Sequence, residues 1–239
     1  LTVDGQTVHI AGAAKGSGMI HPNMATMLGY ITTDAAIESG VLQRLLNETT
    51  DATFNMITVD GDTSTNDMVV AMASGLAGNR SLAPGHPDWD AFASGFRYVA
   101  EYLAKAIARD GEGATKLVEV TVAGAVTDEA ARAIAKTVVG SSLVKSACFG
   151  ADANWGRVIA AVGRAGQPVN TDTVDIRLGD ILVLEQSQPV PFDEERAKAY
   201  LQGDFVRIAV NLNMGEGRAT AWGCDLTYDY VRINAAYRT

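Results

Sequence analysis

Gly12-Ala13-Ala14-Lys15-Gly16-Ser17-Gly18-Met19-Ile20-His21-Pro22-Asn23-Met24-Ala25-Thr26-Met27-Leu28 is the stretch on which the reading of this chain turns. Upstream, Thr7 to Ala11 alternates weakly and reads as a strand. Downstream, Met27 to Thr32 reads as the next strand, so the stretch is a glycine-rich turn joining the two. A second reading is chemical. A threonine hydroxyl is a poor nucleophile unless a base takes its proton, and one solution is the residue's own α-amine. A free α-amine titrates near ~7.7–8.0, against ~10.4 for a lysine, so it can act as a base near neutral pH. To expose that amine at Thr26, the Ala25–Thr26 bond must break. Spacing leaves both readings open.

Working outward, Thr33 or Asp34 can cap a helix over roughly 36–54, with Ile37, Val41, Leu42, Leu45 and Leu46 on one face. Residues 55–59 read as a short strand. The polar loop 60–67 is expected to cap a helix over roughly 68–77. Leu82 to His86 reads as surface loop around Pro84-Gly85. From Trp89 to about Arg109, Phe92, Phe96, Val99, Leu103 and Ile107 recur at helical spacing. Strands are expected over 117–126, 174–178, 181–185, 205–211 and 217–226. Helices are expected over 128–144, 154–164 and 192–202, and 228–237 reads either way. Helices and strands mix without regular β-α-β alternation, which predicts an α+β fold of layered sheets and helices. A boundary is expected near residues 113–116.

Composition narrows the function classes. The 239 residues carry 28 acidic against 19 basic side chains, a formal charge of −9, with no Lys/Arg cluster of the kind nucleic acid requires. The longest apolar run, Met68 to Ala73, is too short to span a membrane, and no signal-peptide pattern opens the chain. Cys148 and Cys224 are far apart and outside any C-x-x-C spacing, as expected of buried free thiols in a reducing, cytoplasmic setting. His9, His21 and His86 lack metal-ligand spacing, and the acidic run from Asp60 to Asp67 lacks the final Glu of a calcium loop, so no metal is expected.

Two further positions stand out. Lys15 lies among small residues that would let a carboxylate approach its ammonium, although a solvated turn lysine fits the spacing as well. Asp110 and Glu112 follow the long helix at its C-terminal end, where the helix dipole disfavours acids by roughly 0.3–1 kcal/mol. Glu112 is flanked by Gly111 and Gly113, which permit an unusual backbone. It is either an exposed turn acid or a carboxylate placed to hold a substrate ammonium.

The run Lys-Gly-Ser-Gly-Met-Ile-x-Pro-Asn-Met-Ala-Thr-Met-Leu closely resembles the processing site of the ornithine acetyltransferases, the glutamate N-acetyltransferases of arginine biosynthesis. Gly111 to Lys116 resembles the family's Gly-Glu-Gly-Ala-Thr-Lys motif. Asn234 to Thr239 resembles its terminal Asn-x-x-Tyr-Arg-Thr. Residues 56–67 and 150–157 are similar to it as well, so the resemblance runs along essentially the whole chain.

It implies a precursor that cleaves itself between Ala25 and Thr26, after which Thr26 carries the acetyl group from N-acetylornithine to glutamate by ping-pong transfer. It implies substrate contacts from Lys15, Thr26, Glu112, Asn234 and Thr239. It also implies an N-terminal-nucleophile-like layered fold with a smaller C-terminal α+β domain. The segments would be 1–25 (end of an α chain), 26–114 (catalytic layer) and 115–239 (C-terminal domain). No cofactor is implied beyond acetyl-CoA as a second acetyl donor. The partners implied are an upstream α-chain segment and an α2β2 heterotetramer in the cytoplasm. Residues 60–67 are expected to support Thr26, and 150–157 to pack at a helix start.

The family's upstream segment carries a Thr-Thr-Gly oxyanion motif with no equivalent here. Loss of one such donor costs ~2.7–4 kcal/mol of barrier, so this chain alone is expected to be a poor catalyst. Two alternatives stay open: an aminopeptidase or amidase of the same nucleophile type, with water as acceptor, and an inactive amino-acid-binding fragment.

Overall fold

The computed structural model describes residues 1–21, 27–63 and 65–236. The chain opens with a hairpin, β1 (Thr2–Val3) and β2 (Gln6–Thr7), turned at Asp4-Gly5. Both turn residues have positive φ, 49° and 76°, the backbone that Asp-Gly favours in two-residue hairpins. Next come β3 (Ile10–Lys15) and β4 (Leu28–Thr33), paired antiparallel, and α1 (Ser39–Ala52). A 3₁₀ turn (Phe54–Met56), β5 (Ile57–Thr58) and β6 (Met68–Ala73) follow. β6 is a correction to the expected helix over 68–77: it runs parallel to β4 and completes the small sheet β3-β4-β6.

The helix α2 (Trp89–Arg109) forms where its spacing predicts and buries Phe92, Phe96, Ala100, Ala104, Ile107 and Ala108. It packs along β3 on one side and reaches β12, β5 and β7 on the other, so it bridges the two main sheets. The approach to β3 is close. A Cβ built on Gly12 would lie 2.8 Å from Leu103 Cδ1 and 3.0 Å from the Tyr30 carbonyl oxygen.

The second half supplies β7 (Leu117–Ala125), α3 (Asp128–Val139), α4 (Ser142–Phe149) and α5 (Trp155–Gly163). It continues through β8 (Asp175–Leu178), β9 (Ile181–Glu185), β10 (Gln188–Pro189), α6 (Glu194–Leu201), β11 (Phe205–Asn211), β12 (Gly217–Cys224) and α7 (Tyr228–Ala236). The seven-stranded sheet has the order β10-β9-β8-β11-β7-β12-β5. Val118, Val120 and Val122 alternate with less buried neighbours on β7, as do Val206, Ile208 and Val210 on β11, which fixes one apolar face. α3 covers that face over β7 and β12.

The single helix expected over 128–144 is two. The first ends at Val139, and Ser141 then caps a new one, its hydroxyl accepting from the Val144 N–H. Asn154 caps α5 in the same way. The turn at 113–116 lies between α2 and β7, yet the large sheet draws its edge strand β5 from the N-terminal side, pairing Ile57 with Trp222.

Candidate active site

The antiparallel register of β3 and β4 runs out at Lys15 opposite Leu28, so the chain leaves β3 and enters β4 at neighbouring points. A Cβ on Gly16 would lie 3.7 Å from Met27 Cα. The loop is anchored at both ends by carboxylates from the polar segment after β5. Asp60 accepts from the backbone N–H of Met19 at 2.7 Å and of Ile20 at 3.0 Å. Asp67 Oδ1 accepts from the N–H of Met27, whose carbonyl receives the Met68 N–H at 2.9 Å. Thr63 donates its hydroxyl to the His21 carbonyl at 3.0 Å. Thr26 and Ala25 lie outside the described residues, and Met27 is the residue that follows Thr26 in the chain.

His21 closes the base of the loop, with Nδ1 3.0 Å from Thr58 Oγ1. Burial, aided by the Lys136 charge, lowers its pKa against an opposing pull from Asp60 and Asp62, so the imidazole is neutral at physiological pH. Burial also brings the Lys136 ammonium down to about 8.

Glu112 arrives from the other side. α2 ends at Arg109, and the Glu112 N–H donates to the Ser17 carbonyl at 2.8 Å. Its carboxylate rests on Gly18, where a Cβ would fall 2.4–2.6 Å from the three carboxyl atoms. A side chain at 18 would therefore displace the Glu112 carboxylate above it. Glu112 Oε2 accepts from Asn234 Nδ2 at 2.8 Å, and the same amide donates to the Tyr230 carbonyl at 3.0 Å.

Of the sequence-predicted site residues, Glu112 and Asn234 thus touch. Lys15 is exposed at the end of β3, three residues before Gly18, and lines an open cleft of about 520 Å³ with Ser17, Leu103 and Asp110. Thr239 lies outside the described residues.

The Gly111 to Lys116 motif has a packing logic beyond Glu112. Gly113 has φ +68°, and a Cβ there would meet the Tyr230 backbone nitrogen at 2.6 Å. Its carbonyl accepts the Thr227 hydroxyl at 2.6 Å. Asp225 receives the N–H groups of Thr115 (2.8 Å) and Lys116 (3.0 Å). The buried Lys116 ammonium donates to the carbonyls of Cys148 and Leu201, at the C-terminal ends of α4 and α6, where a cation is favoured. The motif therefore ties α2, α4, α6 and α7 to one point.

Sequence reasoning missed Tyr230. Its hydroxyl donates to Asp60 Oδ2 at 3.3 Å, and burial beside Asp60 pushes its pKa up to about 12. Nothing in the spacing of the tail marks it, because Asp60 is 170 residues away.

Among the described residues, one trio of possible metal ligands draws together, Asp4, His86 and Asp88. Asp4 is already bridged by Arg80 and by His86 Nε2 at 3.2 Å, and Asp88 receives the Asp4 N–H at 2.9 Å. That arrangement clamps the β1–β2 hairpin to the loop before α2. Cys148 and Cys224 are buried free thiols. Among the described residues no helix is long and apolar enough to cross a membrane.

Comparison with known proteins follows the same lines. A protein of Geobacillus kaustophilus named arginine biosynthesis bifunctional protein ArgJ is 65% identical over 238 residues, 100% of this chain and 58% of its own length. The Bacillus subtilis protein of the same name is 56% identical over 239 residues, covering 59% of its length. The chain thus spans a little under three fifths of the curated relatives it matches. A crystal structure of arginine biosynthesis bifunctional protein argJ from Bacillus halodurans superposes with a TM-score of 0.88 at 60% identity. That match covers 89% of this chain and 100% of the solved one, and it carries the layered α+β expectation with it. From first residue to last, 1–239, the chain matches the ArgJ family and belongs to it.

Proposed function

We propose that this chain carries the nucleophile and most of the amino-acid site of an acetyltransferase of arginine biosynthesis. One observation carries the reading: Glu112, paired with Asn234, rests on Gly18, and Lys15 pairs with Leu28, so all three lie near described residues that flank the segment containing Thr26.

In this account Thr26 Oγ attacks the Ala25 carbonyl, the C–N bond breaks in an N-to-O shift, and water hydrolyses the resulting ester. The freed α-amine of Thr26 then takes the hydroxyl proton. Thr26 Oγ attacks the acetyl carbonyl of N-acetylornithine, and the leaving amine of ornithine takes up the proton. The α-amine of glutamate attacks the acetyl-threonine ester, and N-acetylglutamate departs as Thr26 regains its proton. Lys15 binds a substrate carboxylate, while Glu112, positioned by Asn234, accepts hydrogen bonds from a substrate ammonium. Thr239 contacts substrate at the same site. An upstream segment supplies the oxyanion donors, in an α2β2 assembly in the cytoplasm. Acetyl-CoA serves as a second donor, and no cofactor is required.

The test is Thr26→Ala in the full-length gene product. The bond should stay intact and acetyl transfer should vanish. Transfer that survives the substitution would overturn the reading, and release of free acetate in place of N-acetylglutamate would make the protein a hydrolase.

A further inference from the structure

We propose that Asp60, through Tyr230, is a positioning residue that holds the stem of the cleavage loop and the substrate-contact helix α7 in one arrangement. The inference rests on the acetyltransferase reading above and extends it to residues that do not touch substrate. Besides the Asp62 N–H within its own turn, at 3.3 Å, the Asp60 carboxylate has partners on two sides. On one side it accepts from Met19 and Ile20, six and five residues before Ala25 in the sequence, at 2.7 and 3.0 Å. On the other it accepts the Tyr230 hydroxyl at 3.3 Å.

α7 needs such a tether. It has nine residues and buries none of their side chains. Isolated helices shorter than about 12–15 residues are marginal in water, so its placement depends on contacts with the rest of the chain. Among the described residues the polar ones are the Thr227 hydroxyl on the Gly113 carbonyl at its start, Tyr230 on Asp60, and Asn234 on Glu112. Phe149 adds an edge-on ring contact to Tyr228 at 5.7 Å. Tyr230 also offers its carbonyl to the Asn234 amide, so the residue tethered by Asp60 is the one that orients the partner of Glu112. With its pKa raised to about 12, the hydroxyl remains a donor throughout the working pH range.

The experiment compares Tyr230→Phe, Asp60→Asn and the double variant in the full-length gene product. It reads the fraction cleaved at Ala25–Thr26 and, separately, KM and kcat for glutamate. Tyr230→Phe removes only the hydroxyl and keeps the ring. It should cleave like the wild type, raise KM about five- to tenfold and change kcat less than about twofold, the scale of one lost hydrogen bond. Asp60→Asn should slow cleavage as well as raise KM, because it also weakens the acceptor for Met19 and Ile20. In the double variant the KM increase should be no larger than in Asp60→Asn alone, the mark of a shared interaction. An unchanged KM in Tyr230→Phe, or KM effects that multiply in the double variant, would overturn the proposal. Cleavage or activity in a Thr26→Ala control would instead overturn the acetyltransferase reading, so the two failures are distinct.

Discussion

Gly18→Ala separates the function of this site from the stability of the fold. A methyl group at residue 18 would lie 2.4–2.6 Å from the Glu112 carboxyl atoms, so the carboxylate must swing aside. It is the end of a flexible side chain, and the Gly18 backbone lies outside the left-handed region, so the chain path can stay as it is. The displaced carboxylate loses the 2.8 Å bond from Asn234. On exposed groups that bond contributes about 0.5–1.5 kcal/mol. Restricting the unfolded chain returns about 0.4–1 kcal/mol, so net stability should fall by less than about 1 kcal/mol. Function should fall much further. A hydrogen bond to a charged group is worth about 1.5–3 kcal/mol, so under the proposed role of Glu112 as acceptor for a substrate ammonium, its displacement should raise KM roughly 10–150-fold. Steady-state kinetics on the full-length gene product, beside urea unfolding, reads both. A KM within twofold of wild type would refute the assignment of Glu112. A stability loss above about 3 kcal/mol would refute the claim that only its carboxylate must move.

Gly113→Ala should behave in the opposite way. Its Cβ would meet the Tyr230 nitrogen and the Asp229 backbone, and its φ is +68°, so neither the backbone nor its neighbour can yield cheaply. Left-handed strain of about 1–2 kcal/mol plus crowding of about 1–3 kcal/mol should appear as a drop of at least 2 kcal/mol in chemical unfolding. Lys116→Met should leave the Leu201 carbonyl without the Lys116 donor and the Cys148 carbonyl with backbone donors only, and cost about 1–3 kcal/mol, measured as a lower urea midpoint at unchanged slope. Arg80 holds the Asp4 carboxyl below the usual carboxylate range. A depressed folded pKa contributes stability that is present above the unfolded value near ~3.9 and lost as pH falls through the folded one. Asp4→Asn should therefore lose stability at pH 7 and show a weaker decline between pH 5 and pH 3, seen in thermal melts across that window.

The long helix α2 was legible because four turns of apolar spacing leave no other fit, and Leu117–Ala125 because valines alternate. β6 was not. Met68-Val69-Val70-Ala71-Met72-Ala73 is too short for periodicity to separate strand from helix, and Asp67 invites a cap. In the fold Asp67 spends an oxygen on Met27, and Val69 and Val70 pair along β4. The hairpin at Asp4-Gly5 carried a readable turn signal that the two-residue strands beside it hid. In the site, Lys15, Glu112 and Asn234 came from matching motifs, and the Glu112–Asn234 contact spans 122 residues that no local pattern connects. Asp60 was visible only as part of an acidic loop. Its role follows from what it faces across the fold, Met19 and Ile20 on one side and Tyr230 on the other.

The most direct test of the central claim is an intact mass of the full-length gene product after incubation with N-acetylornithine alone, with peptide mapping. A fragment that begins Thr-Met-Leu-Gly and carries one acetyl group on Thr26, removed when glutamate is added, is the predicted result. An uncleaved chain, or acetyl found on any residue other than Thr26, would contradict it.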